Sequence, residues 1–190
     1  MVTRCFPPQG TNDQLYIKYH DREWGKLNLD ERYLYEMMVL ESFQSGLSWA
    51  TILKKRGNFR QAFANFDVTK VAKFNEDDRQ RLLHDAGIVR NRMKIDAAIN
   101  NAQVLVKMHQ NGETLGQLLK EFIPQPIVNH PQKMGDVPAK TTLSSKIAKT
   151  LKKRGFKFLG PVTVYSFLQA VGLINDHLDS CDFKYSSTGK

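Results

Sequence analysis

Cys5 and His20 stand near one end of this chain, His177 and Cys181 near the other, and they include both of its cysteines. Cys5 precedes Tyr19-His20-Asp21 by one short loop, and His177-Leu178-Asp179-Ser180-Cys181 closes the tail. Two thiolates and two neutral imidazoles are the ligand set of a closed tetrahedral Zn²⁺ site. One ion there would tie residue 5 to residue 181 and clasp the termini together. The spacing alone leaves two other readings open. A Cys5–Cys181 disulfide would stabilise by roughly 5 kcal/mol through chain entropy, and two unrelated buried thiols would need no partner. The segment Met1-Val2-Thr3-Arg4-Cys5-Phe6-Pro7 holds no apolar signal core. The expected compartment is therefore the reducing cytoplasm, which disfavours the disulfide.

A second constellation joins one acid to flat rings. Tyr16-Ile17-Lys18-Tyr19-His20-Asp21-Arg22-Glu23-Trp24-Gly25 carries three large aromatics, and Leu40-Glu41-Ser42-Phe43-Gln44-Ser45-Gly46-Leu47-Ser48-Trp49 carries Trp49 behind Glu41. Glu41 shares a helical face with Leu34, Met37 and Met38. In that company a carboxylate is either desolvated and functional or snorkelling at an edge, and buried it needs partners. Aromatics plus one acid suit a pocket that stacks an electron-poor ring and accepts its hydrogen bonds. Each ring taken singly suits core packing equally well.

The third feature is charge. Lys and Arg number 28 against 19 Asp and Glu, a net charge of +9. That excess fits a polyanionic partner such as nucleic acid. The cations group as Lys54-Lys55-Arg56, as Arg90-Asn91-Arg92-Met93-Lys94, and as Lys152-Lys153-Arg154-Gly155-Phe156-Lys157. The second group follows Gly87 in a segment that reads as helix, tight turn, helix. In a helix-hairpin-helix such a turn offers backbone N–H groups to a phosphate, and the arginines and Lys94 would add charge-assisted contacts.

The elements that must position these residues read as all-α. One helix starts after a capping Asp30 and carries Glu41. Another starts at the cap Asn75 and runs through Leu82-Leu83 to Gly87, expected as a left-handed C-cap. Met93 to Met108 is the next. Pro124, Pro126, Pro131 and Pro138 make 124–142 a long loop. A helix resumes near Ser144, ending in Lys152-Lys153-Arg154-Gly155. Gly160-Pro161 opens a last helix that is apolar on nearly all sides and expected to be buried. No strand pair is expected, and no apolar run reaches the roughly 20 residues of a membrane span.

Residues 19–25, 40–49, 53–56, 85–90 and 153–160, followed by Asn175-Asp176-His177 and Cys181, resemble the motifs of the 3-methyladenine DNA glycosylase I family in their order. The resemblance covers essentially the whole chain. It implies a helix-hairpin-helix DNA glycosylase fold with a zinc-clasped subdomain built from both termini. The unit would span 1–190, with a hairpin core at 30–115 and a terminal subdomain from 1–29 and 116–190. It implies a monomeric bacterial base-excision repair enzyme that acts on double-stranded alkylated DNA and releases free 3-methyladenine. One structural zinc is implied on Cys5, His20, His177 and Cys181. Glu41 would accept hydrogen bonds from the base, with Tyr16, Tyr19, Trp24 and Trp49 lining its pocket. The wider superfamily places a catalytic Asp shortly after the hairpin, but this family lacks it, and residues 97–112 hold neither Asp nor Glu. Phosphate anchoring falls to the amides of Gly87 and Ile88, to Arg90, and to the turn bearing Lys153 and Arg154. The gap left by an extruded base would be filled from the 42–48 turn, near Leu47. Phe6 stands where some members of the family have a tryptophan. His84, His109 and His130 match no functional motif and are expected at the surface or in packing.

Overall fold

The structure, a computed structural model, describes residues 2–5 and 13–184, so Phe6 lies outside the described residues. The first helix, α1 (Gln14–Arg22), is capped by Asp13, whose carboxylate accepts from the Leu15 and Tyr16 amides. The helix that organises the core is the second, α2 (Glu31–Gln44), capped by Asp30, which accepts from the Tyr33 amide. Every residue from Leu34 to Phe43 is buried, as expected of a helix surrounded by others. Two of those residues are glutamates, Glu36 and Glu41. Glu36 is neutralised by Arg56 at 2.6 Å and Arg60 at 2.9 Å. Glu41 is not.

Around α2 the chain continues as α3 (Trp49–Ala62), the short α4 (Val68–Val71), α5 (Glu76–His84), α6 (Arg92–Gln110), α7 (Leu115–Phe122), α8 (Thr142–Lys153) and α9 (Pro161–Ala170). Asn75 and Asp78 form a reciprocal capping box at the start of α5. That helix ends at His84 with Asp85 as cap, short of the expected Gly87. Gly87 is not in the left-handed region. Its requirement for glycine is steric, because a Cβ there would come within 2.9 Å of Asp85 Oδ1 and 3.0 Å of Asn58.

Two further expectations are corrected. Ile127–Val128 (β1) and Ile174–Asn175 (β2) form a parallel pair, Ile127 opposite Ile174. Two-residue strands carry no alternation to read, yet this pair pins the proline-rich loop to the segment entering His177. In α9, Val162 is 51% exposed, so that helix has an outer side at its start, while Val164, Tyr165 and Phe167 to Ala170 are buried. The surface reading of the remaining histidines holds: His84 and His130 are exposed, and His109 pairs with Glu31 at 3.0 Å. No helix among the described residues is long and apolar enough to cross a membrane.

Candidate active site and metal centre

The segments around Thr3 and Asp182 meet, as the resemblance implies. Asp182 accepts from the Thr3 amide at 2.8 Å, and its own amide donates to the Thr3 carbonyl at 3.1 Å. Beside this pairing the ligand atoms of Cys5, His20, His177 and Cys181 all lie within 4.8 Å of one another. Three sulfur–nitrogen separations are 3.4 Å (Cys5–His177), 3.4 Å (Cys181–His177) and 3.6 Å (Cys181–His20). With metal–sulfur and metal–nitrogen bonds of ordinary zinc length, a tetrahedron has S···N edges of roughly 3.5 Å. The cluster can hold a metal ion, and both cysteines are free thiols.

The surrounding groups fit that use. His20 turns Nε2 to the cluster and Nδ1 to Asp21 at 2.7 Å, and Arg4 holds Asp21 by a two-pronged contact. His177 turns Nδ1 inward and bonds through Nε2 to the Trp24 carbonyl at 3.0 Å. Ligating imidazoles are oriented in this way by their second nitrogen. The Leu178 amide donates to Cys5 Sγ at 3.2 Å. Without a cation, burial pushes the Cys5 thiol up to about 12 and the His177 imidazole down to about 4, so thiolate there depends on a metal. Gly25, at φ +71, lets His177 close in, since a Cβ would stand 3.0 Å from its ring.

Trp24 joins the clasp to a cleft. Its ring meets His177 edge-on at 4.6 Å and lines a cavity of about 360 Å³ with Tyr16, Tyr19, Glu41, Gln44 and Trp49. The volume lies within the range of small-molecule sites. All five sequence-expected pocket residues are therefore together. Tyr19 and Trp49 pack tilted, with centroids 5.2 Å apart. Glu41 is 5% exposed and has no hydrogen bond or ion pair among the described residues. Burial alone pushes its carboxyl up to about 8. The Trp49 indole Nε1 is also buried without an acceptor among the described residues.

Met134, Val137, Ser166 and Gln169 complete the wall, and sequence reasoning missed them. Ser166 and Gln169 were findable as polar residues three apart on a mostly apolar helix. Met134 and Val137 come from the proline-rich loop and left no signal. Gln44 Nε2 donates to the Leu47 carbonyl at 3.0 Å, fixing the turn that leaves Leu47 39% exposed.

The hairpin is arranged differently from expectation. The Gly87 amide donates to Asp85 Oδ1 at 2.7 Å and the Ile88 amide to the Asp85 carbonyl at 3.3 Å. Both donors are thus used inside the turn, and Ile88 is buried. Among the described residues the amides of Val89 and Arg90 have no acceptor, so the open N–H groups sit one or two residues later. Lys55 and Asn58 hold the turn to α3 through the carbonyls of Ala86 and Gly87. Two cations counted toward a DNA surface are structural instead. Arg56 is buried between Glu36 and Glu23. Lys94 is buried and donates to the Phe43 and Ser45 carbonyls at 2.9 and 2.7 Å, closing the C-terminus of α2. Arg90, Lys153 and Arg154 remain exposed, the last paired with Glu113.

Comparison with known proteins agrees with this geometry. The chain is 48% identical over 172 residues to DNA-3-methyladenine glycosylase 1 of Escherichia coli, covering 90% of this chain and 92% of that one. It is 42% identical over 187 residues to DNA-3-methyladenine glycosylase of Haemophilus influenzae, covering 98% and 100%. A crystal structure of 3-methyladenine DNA glycosylase I superposes with a TM-score of 0.91 at 46% identity, covering 95% of this chain and 98% of that one. A Staphylococcus aureus 3-methyladenine DNA glycosylase I, solved to explain 3-methyladenine recognition, gives 0.88 at 39% identity over 92% and 94%. The methyladenine glycosylase family model matches residues 9–185, and this chain belongs to that family.

Proposed function

We propose that this chain is a monofunctional DNA glycosylase that hydrolyses the N-glycosidic bond of 3-methyladenine in alkylated DNA and releases the free base. The observation that carries this reading is Glu41, a buried carboxyl without a partner among the described residues, in a cleft walled by Tyr16, Tyr19, Trp24 and Trp49. 3-Methyladenine in DNA is cationic and leaves as a neutral molecule, so its glycosidic bond is already weak. Ring faces favour a cation by about 0.5–2 kcal/mol. With burial raising its carboxyl to about 8, Glu41 holds a proton at neutral pH. A cationic ring beside it would draw its pKa down and leave a carboxylate that accepts from the exocyclic amine. Glu41 then supplies specificity and electrostatic help, with water as nucleophile. Glu41→Gln separates this from general-base catalysis: lost selectivity with residual depurination supports the specificity role, and abolished turnover with intact base binding supports the base. Among the described residues no lysine lines the cleft to serve a lyase step. Burial lowers the Lys94 pKa, but Lys94 donates to two carbonyls and does not line the cleft.

The target nucleotide must leave the stack at a cost of a few kcal/mol, less for a damaged base. Exposed Leu47, held by Gln44, suits the gap it leaves. The amides of Val89 and Arg90, the Arg90 guanidinium and the Lys153–Arg154 turn would take phosphates of a duplex. The clasp would hold one zinc ion, on the evidence of its donor set and edge lengths. A hairpin core at 30–115 and a terminal subdomain from 1–29 and 116–190 describe the division of labour, in a monomeric cytoplasmic enzyme.

Purified protein and Glu41→Ala should be incubated with methylated duplex DNA and the released bases identified by chromatography. Release of 3-methyladenine with 7-methylguanine left in place, lost in the variant, is the expected result. No release from metal-loaded, DNA-binding protein would sink the activity and leave a non-catalytic DNA-binding module.

A further inference from the structure

Glu41 is not the only hydrogen-bond acceptor that the cleft leaves open. Gln169 lines it and is 8% exposed. Its Nε2 donates to Asp176 Oδ2 at 2.7 Å, where the Tyr165 hydroxyl also donates at 2.6 Å. Asp176 Oδ1 accepts from Asn129 Nδ2 at 2.6 Å. Asp176 is 1% exposed and, as a carboxylate, can only accept. The amide of Gln169 can therefore face it only with its NH₂ group, which decides the amide's orientation. The backbone is fixed too, because the Gln169 carbonyl accepts from the Gly25 amide at 2.9 Å. What remains is Oε1, with no donor among the described residues.

We infer that Gln169 Oε1 is a second specificity-determining acceptor for the exocyclic amine of the extruded base, turned toward that task by Asp176. The inference deepens the glycosylase reading and rests on it. An adenine-type amine carries two N–H bonds, and Glu41 and Gln169 would each take one. A keto purine such as 3-methylguanine offers an acceptor oxygen at the same ring position and would meet two acceptors with no donor. Unpaired polar groups in a buried site give the strongest discrimination between similar ligands. Gln169 contacts the base, whereas Asp176 is a positioning residue that acts through it. Asp176 also precedes the metal ligand His177, so clasp and specificity group are set by consecutive residues.

The test uses two variants of the full chain. Gln169→Met keeps the side chain's length and removes the acceptor. Asp176→Asn offers Gln169 a donor in place of an acceptor and allows its amide to turn over. Release of 3-methyladenine and 3-methylguanine from methylated duplex DNA is measured together with free-base binding by tryptophan fluorescence. Both variants are expected to lose roughly tenfold in kcat/KM for 3-methyladenine. Release of 3-methylguanine should hold or rise, with metal content unchanged. A Gln169→Met protein whose ratio between the two bases matches wild type overturns the inference, as does an equal fall for both. A wild type that neither binds nor releases 3-methyladenine overturns the glycosylase reading and this one with it. Because Gln169→Met leaves Asp176 and the clasp in place, misfolding of Asp176→Asn does not rescue the proposal.

Discussion

The clasp and the cleft share α1, where His20 serves one and Tyr19 the other, yet their polar groups are treated oppositely. In the clasp both imidazoles are held by their second nitrogen, Cys5 accepts an amide, and Asp21 is gripped by Arg4. In the cleft Glu41, the Trp49 indole N–H and Gln169 Oε1 are left without partners among the described residues. A structural metal site reaches its lowest energy when closed on itself. A binding site keeps its buried polar groups unpaired so that the ligand supplies the missing partner, and an imperfect ligand leaves them so. Incomplete satisfaction is therefore the mark of the functional half of this molecule.

The comparison is broken most severely at the clasp. Cys181→Ala, or chelation of protein first loaded with zinc, should lower the melting temperature by more than about 10 °C. It should also weaken base binding, because Trp24 rests on His177. Calorimetry with metal analysis checks this, and an unchanged melting temperature would remove the clasp from the account. At Glu41 the prediction runs the other way. Glu41→Gln should cost on the order of a hundredfold in 3-methyladenine release while making the protein more stable in alkali. The sign follows from a carboxyl raised to about 8. The folded state keeps a proton that the unfolded chain gives up, so stability is whole below about pH 4.5 and drains away as pH rises through 8. Urea unfolding should find the variant a few kcal/mol more stable at about pH 9 and nearly level with wild type at about pH 4.5.

Two smaller effects sharpen the contrast by leaving both sites intact. Gly87→Ala drives a methyl against Asp85 and Asn58. It should cost about 1–3 kcal/mol of stability and weaken duplex binding without changing affinity for the free base. Arg90→Ala and Lys153→Ala should each reduce the salt dependence of duplex affinity by about one counterion, measured by titration at several ionic strengths, with base selectivity untouched.

Much of both sites was legible in the chain. Cys5, His20, His177 and Cys181 drew attention as a two-thiol, two-imidazole set, and the family resemblance singled out the metal reading among the three that their spacing left open. Glu41 drew attention because a lone acid on an apolar helical face has few explanations. Lys94 and Arg56 were misread as surface cations, since a count of charge is blind to burial. Gly87 was read as a conformational glycine when its neighbours, Asn58 above all, make it a steric one. Gln169 and Val137 escaped notice because one lies in a nearly continuous apolar helix and the other in a loop whose path only packing sets.

By itself the sequence determined the helical character, the net positive charge and the acid with its aromatic company, because these follow from residue type and local periodicity. Tertiary structure alone decided which polar atoms are left unpaired. Glu36 and Glu41 sit on the same buried helix, five residues apart in the chain. One meets Arg56 and Arg60 and becomes structure; the other faces a cleft without a cation among the described residues that line it and becomes a site. Nothing local says which of the two will find a cationic partner. Solvation and partnership are properties of what the rest of the chain brings alongside.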